Sequence, residues 1–202
     1  MTAGTGGINT GEAFMLRRTL FAAAVMFATG AALASETVTA PKLDPANTVY
    51  LDTKDGRITI QLRPDLAPKH VERVKLLCHE HFYDNTPFHR VIAGFMAQGG
   101  DPTGTGTGGS KYPDVPAEFS QTEHFLRGTV GAARNSNPDS ANSQFYIMFA
   151  PYPSLDGQYT IWGQVVGGMD VVDKIKKGSE ADNGTVLNPD RIVKMRLATD
   201  AK

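Results

Sequence analysis

Residues 88–101, reading FHRVIAGFMAQGGD, place one cation, Arg90, ahead of an apolar pair, Phe95 and Met96, and an amide, Gln98. A guanidinium carries five N–H donors, is planar and stays charged in a protein. Such a group beside an apolar slot can donate hydrogen bonds to a ligand whose nonpolar ring is held next to it. Two further stretches are as dense: SQFYIMF at 143–149 and LDGQYTIWG at 155–163. By themselves, aromatic and Met residues at strand spacing are more often plain core. In 145–149, however, both faces of the strand are apolar. Phe145, Ile147 and Phe149 can face inward, which leaves Tyr146 and Met148 to line a groove on the outer wall. Other chemistries find less support. Ser140 and Ser143 flank no Gly-x-Ser-x-Gly pattern. No pair among His70, His79, His81, His89 and His124 has ligand spacing, so neither a metal nor another cofactor is expected. His89 is expected on the strand face opposite Arg90.

The elements that must position these residues follow from the pattern. A hairpin is predicted where Val49 and Leu51 alternate with polar residues, Asp55-Gly56 turns the chain, and Ile58, Ile60 and Leu62 alternate on the return. A helix is predicted over 67–81, with Pro68 suited to its first turn. Strands are predicted at 88–92, 95–98, 129–133, 144–149, 160–166 and 192–198, with a second helix over 169–176. Cys78 shares an apolar helix face with Val71 and Val74 and reads as an inert buried thiol. The low-complexity patch TGTGTGG at 103–109 lacks the Gly-Lys-Ser/Thr of a phosphate cradle and reads as a surface loop. Eight short strands and two helices leave sandwich and closed antiparallel barrel nearly even on pattern alone.

Taken in order, the three dense segments resemble the cyclophilin family of peptidyl-prolyl cis-trans isomerases, over about 48–197. The resemblance implies a mainly β fold, a closed eight-stranded antiparallel β-barrel capped by two α-helices, one at each end. It implies rotation about X-Pro bonds, with no cofactor, Arg90 as catalytic donor, and a proline slot of Phe95, Met96, Tyr146 and Leu155. Gln98 and Gln144, the backbone of Ala133 and Arg134, and Tyr159 would contact an extended, proline-containing peptide. The sequence departs from the best-known eukaryotic pattern at Ser154, where that pattern has tryptophan, at Tyr159, where it has histidine, and at Tyr146, where it has phenylalanine. The stretch 135–142 also aligns only loosely. Losing the indole is expected to weaken a cyclosporin-type macrocycle more than a peptide. A proline-peptide binding module using the same groove is the alternative, and Arg90 discriminates between the two.

The chain has 202 residues and a formal net charge of −1, enough for one globular domain, with no basic excess to suggest a nucleic-acid partner. Residues 1–34 read as an N-terminal extension and signal peptide. Met15-Leu16-Arg17-Arg18 is a basic start, 20–30 an apolar run, and Ala32-Leu33-Ala34 a small-residue cleavage site. The polar, glycine-rich residues ahead of Met15 leave both Met1 and Met15 open as the start. The apolar run is short for a span of roughly 20 residues, and an uncleaved anchor is the alternative. Residues 35–47 read as a short leader and 48–202 as the folded domain. The expectation is cleavage after Ala34, delivery to a periplasm, unfolded exported proteins as partners, and a monomer.

Overall fold

The computed structural model describes residues 43–201, and the predicted signal peptide and its cleavage point lie outside the described residues. The chain runs through β1 (Thr48–Thr53), β2 (Gly56–Leu62), α1 (Pro68–His79), β3 (Arg90–Ile92), β4 (Met96–Gly99), β5 (Thr129–Ala132), β6 (Phe145–Met148), β7 (Ile161–Gly167), α2 (Met169–Lys174) and β8 (Lys194–Leu197). Each predicted strand and helix is present; most are shorter by one or two residues at an end, while β4 and β7 are each shifted one residue towards the C-terminus. Two 3-10 turns accompany them, Pro45–Asn47 ahead of β1 and Pro153–Leu155 between β6 and β7.

The hairpin turns one residue earlier than predicted. Thr53 pairs with Gly56, so Lys54 and Asp55 form the loop, and Gly56 takes the positive φ of +136° that a side chain would resist. All eight strands lie in one sheet, in the order β3-β4-β6-β5-β7-β2-β1-β8, and the named ladders are antiparallel.

The expectation of a closed barrel is corrected here. The end strands β3 and β8 share no ladder, and the sheet is a curled, open one. Its two ends meet only through the irregular segments that lead into those strands. Pro87 and Arg191 form an isolated bridge, and the Asn85 and Phe88 N–H groups donate to the Ile192 and Asp190 carbonyls at 2.7 and 2.9 Å. Pro87 has no N–H to give, so a continuous ladder cannot run through it.

Strict alternation fills the interior. Val49, Leu51, Ile58, Ile60 and Leu62 are buried, and Val71, Val74, Leu77 and Cys78 of α1 and Val171 and Val172 of α2 pack into the same cluster. Burial pushes the Cys78 thiol up to about 12, against a lowering pull from Arg196, so it stays protonated and inert as expected. Helix α1 has no side-chain cap of its own beside Pro68. Glu118, far along the chain, does that work. Its carboxylate accepts the Lys69 and His70 N–H groups at 3.1 and 3.0 Å and faces His70 Nδ1 at 2.7 Å.

Candidate active site

The site is a consequence of register. Across β3, β4, β6 and β5, Arg90 pairs with Gln98, Gln98 with Tyr146, and Tyr146 with Gly131. Directly paired residues share a face of the sheet, so a cation, an amide, a phenol and a glycine form one row on the outer face. One step along, Ile92, Met96 and Met148 form an apolar row on the same face. Between these rows, Val91, Ala97, Ile147 and Val130 pair in turn and point the other way, into the main core. The expected split of 145–149 is therefore observed: Phe145, Ile147 and Phe149 belong to the inner cluster, Tyr146 and Met148 to a second one outside.

That second cluster holds Met96, Phe125, Tyr146, Met148 and Ile161, with Phe95, Leu155, Tyr159 and Ala133 packed against it half-buried. Glycine makes the floor possible. A Cβ at Gly131 would sit 2.6 Å from the Tyr146 ring and 2.7 Å from Phe125, so only a bare backbone admits the two rings, which stack at 5.8 Å. Tyr159 meets Tyr146 edge-on at 6.0 Å, and Tyr152 lies on Phe95 at 4.3 Å. The Tyr146 hydroxyl is buried with no hydrogen-bond partner, and burial first, then Tyr159, pushes its ionisation well above the ordinary value.

Arg90 stands at the edge of this apolar patch. Its Nε donates to the Asn183 carbonyl at 3.0 Å, its Nη2 to Asn183 Oδ1 at 2.9 Å and its Nη1 to Gln98 Oε1 at 3.3 Å. Burial lowers its pKa somewhat, Tyr159 opposes that, and a guanidinium remains cationic at neutral pH all the same. Among the described residues no carboxylate lies within salt-bridge distance of Arg90. With three of its five donors engaged, two remain for a ligand.

Arg90, Phe95, Met96, Gln98, Ala133, Arg134, Tyr146, Leu155 and Tyr159 all line one cavity of about 430 Å³. A second cavity, about 620 Å³, shares Gln98, Gly106, Ala133 and Arg134 with it and adds Gln144. The predicted site residues are thus brought together without exception. Two details differ from expectation. The Ala133 N–H donates to the Gln144 carbonyl at 3.0 Å, so that donor is spent inside the protein. His89 does not lie away from Arg90. It precedes β3, is buried, and its ring comes within 3.7 Å of a Cβ built at Gly106, so it lines the same cavity beneath the glycine-rich loop. Burial holds its imidazole below the ordinary value.

Arg134 lies over the Tyr159 ring at 4.4 Å, with its guanidinium bonded to the Gln158 and Asn135 carbonyls. The other histidines have local carboxylate partners: His70 with Glu118, and His124 with Asp156 at 2.7 Å.

Sequence reasoning missed Asn183 and Asp101. Asn183 sits at φ +54° in the turn before Gly184, and the Asn-Gly pair signals that turn without saying what it reaches. Asp101 is wholly buried. Its Oδ1 accepts the Thr103 N–H and hydroxyl at 2.8 and 2.7 Å, and its Oδ2 the Gly106 and Gly108 N–H groups at 2.7 and 3.1 Å. Burial would raise this carboxyl, but the Thr103 and glycine donors outweigh it and hold it below the usual range. The loop does cradle an anion, and that anion is the protein's own.

Comparison with known proteins agrees with this geometry. The family described as cyclophilin type peptidyl-prolyl cis-trans isomerase matches residues 48–197. A probable peptidyl-prolyl cis-trans isomerase of Brucella suis is 58% identical over 175 residues, covering 81% of this chain and 89% of the relative. Among solved structures, the cyclophilin AquaCyp293 from Hirschia baltica aligns with TM-score 0.70 at 27% identity, over 78% of this chain and 76% of its own. A cyclophilin-type isomerase of Cryptosporidium parvum, solved in the presence of the dipeptide Ala-Pro, aligns with TM-score 0.68 at 28% identity, over 74% and 98%.

Proposed function

Because the chain belongs to the cyclophilin-type peptidyl-prolyl cis-trans isomerase family, we propose that Arg90 is its catalytic group and that X-Pro bonds of exported proteins are its substrates. The observation that carries this reading is the Arg90 guanidinium, tethered on one side by Asn183 and Gln98 and free of carboxylates, at the rim of the Phe95–Met96–Tyr146–Leu155 patch.

Rotation about a peptide bond meets a barrier of roughly 18–20 kcal/mol because amide resonance must be lost. No covalent bond breaks, so no nucleophile is needed. As the bond twists, the imide nitrogen pyramidalises and gains a lone pair that the planar ground state lacks. A donor placed there binds the twisted state better than either planar isomer, which is the condition for catalysis. The proline ring seats on Phe95, Met96, Tyr146 and Leu155, which positions its nitrogen beside the two spare N–H groups of Arg90. Since Ala133 has already committed its N–H, a peptide strand running past it pairs through the carbonyl side, with Gln98 and Gln144 contacting the flanking backbone. One fixed half of the substrate and one turning half is the arrangement rotation needs.

Arg90→Ala should lower kcat/KM for a short X-Pro peptide by about a hundredfold or more, roughly 2.7 kcal/mol of barrier, with little change in the melting temperature. Activity within a few-fold of wild type would remove Arg90 from this role and favour the binding-module reading. The exported location rests on the basic start, apolar run and Ala-Leu-Ala ending of residues 15–34. N-terminal sequencing of the processed protein should begin at Ser35, and a start upstream of Arg17 would overturn it.

A further inference from the structure

We propose that Asp101 is a positioning residue for Arg90, acting through the glycine-rich loop and the two glutamines. This rests on the reading of Arg90 as the catalytic group. A wholly buried carboxylate has no salt-bridge partner among the described residues, and four donors from the 103–108 segment enclose it instead. Burying an anion without a countercharge is costly unless hydrogen bonds compensate, and here they do so by fixing the loop.

The same two glycines then act in the opposite direction. Gly106 and Gly108 give their N–H groups to Asp101, and their carbonyls accept Gln144 Nε2 at 3.0 and 2.9 Å. With both its amide hydrogens engaged, Gln144 presents Oε1, which accepts Gln98 Nε2 at 2.9 Å. That leaves Gln98 Oε1 facing Arg90 Nη1 at 3.3 Å. Every donor points one way, from Arg90 to the loop, so neither amide can turn over without breaking the chain.

The loop composition follows from this role. A Cβ at Gly108 would lie 2.0 Å from Asp101 Oδ1, and Gly106 has φ +85°, so neither position admits a side chain without strain. The threonines that alternate with the loop glycines link hydroxyl to hydroxyl, Thr103 to Thr105 and Thr105 to Thr107, each at 2.8 Å. Lining the cavity, as Thr105 and Gly106 do, does not by itself call for the Asp101 nest; the relay to Arg90 requires Thr103, Gly106 and Gly108 in these roles.

The test is a double-mutant cycle between Asp101→Asn and Gln144→Leu, read by kcat/KM and by the 15N–1H spectrum of the Arg90 guanidinium. An asparagine of the same size cannot accept all four donors. Each single change should cost about tenfold, and the double change no more than about twofold beyond the worse single one, because both break one chain. The Arg90 signals should shift and broaden alike in both singles. Multiplying costs, or unchanged Arg90 signals in folded Asp101→Asn, would overturn the proposal. Should that variant not fold, Thr103→Val, at an exposed position, removes one of the four donors. It should give a smaller loss with the same Arg90 signature, and an unaltered Arg90 spectrum would again overturn the proposal. A wild-type protein without isomerase activity would sink the reading of Arg90 as catalyst, while its spectrum would still report whether Asp101 orients it.

Discussion

On the inner face of the sheet, Val91, Ala97, Phe145 and Ile147 join a cluster that both helices close over. On the outer face of the same strands, Met96, Tyr146 and Met148 are buried as deeply, yet the cluster they form ends at half-buried Phe95, Leu155 and Tyr159 and at a cavity. Alternation and residue type are alike on the two faces. What differs is the neighbour: inside, Phe145 meets Tyr83 at 5.7 Å and Trp162 at 5.8 Å, both edge-on. Outside, the row through Tyr146 runs on to Gln98 and Arg90. A second apolar face therefore becomes a binding surface when its margin is polar and it is left unroofed.

The largest effect expected is on the inner side. Phe145→Ala should cost about 3–5 kcal/mol of stability, read by urea unfolding, while kcat/KM per folded molecule stays within a few-fold. This mirrors Arg90→Ala, which should spare stability and remove turnover. If Phe145→Ala abolished turnover in fully folded protein, the two faces would be mechanically coupled and the division of labour would fail.

The rim comes next. Ser154 is exposed in the turn Pro153–Leu155, where the family pattern resembled here has tryptophan. The aromatic at this rim is instead Tyr152, whose ring lies tilted against Phe95 at 4.3 Å. A cyclosporin-type macrocycle should bind weakly, and Ser154→Trp should tighten it by about tenfold or more, since a buried aromatic anchor is worth ~2 kcal/mol. Peptide turnover should stay within a few-fold. Nanomolar inhibition of the unchanged protein would show that Tyr152 or another residue already completes the pocket.

Acid should loosen both regions together. Burial holds His70, behind α1, and His89, under the loop, below the ordinary 6.5, with Glu118 and Asp101 respectively pulling back. The unfolded chain takes up protons once the pH drops beneath about 6.5, before the folded protein does. Their contribution is therefore complete above that pH and is lost as the pH falls towards their depressed folded values. Melting temperatures from pH 7.5 down to 5 should decline, and His89→Gln should flatten part of that slope. A melting temperature that rose on acidification would refute the assignment.

How much of this could be read from the chain depends on the range of the interaction. The hairpin, the helix with Cys78 on its inner face, and the two-sided strand at 145–149 follow from local periodicity, which survives in any fold. Arg90, Phe95, Met96 and Gln98 were legible because one short segment carries them. The Asn183 clamp on Arg90, the Glu118 cap on α1 and the Asp101 nest were not. Each joins a side chain to backbone groups that only the folded loops bring near, and backbone groups look the same in every sequence. The open seam between β3 and β8 escaped for a related reason: Pro87 and the irregular 185–192 segment decide it, and no repeating pattern marks them.

The smallest effect expected is at Tyr146, and it bears most directly on the difference between the faces. Its hydroxyl is buried without a partner over Gly131. An unsatisfied buried donor costs about 1–3 kcal/mol, but deleting the oxygen leaves a small void that offsets part of the gain. Tyr146→Phe should thus raise stability by less than about 1 kcal/mol and leave kcat/KM within about twofold, because in the proposed pose the ring and not the oxygen seats the proline. The stacking on Phe125 and the edge contact with Tyr159 remain in the variant. A loss of tenfold or more in kcat/KM at unchanged stability would mean that the hydroxyl reaches the substrate, and the outer face would then supply a second polar contact besides the Arg90 row.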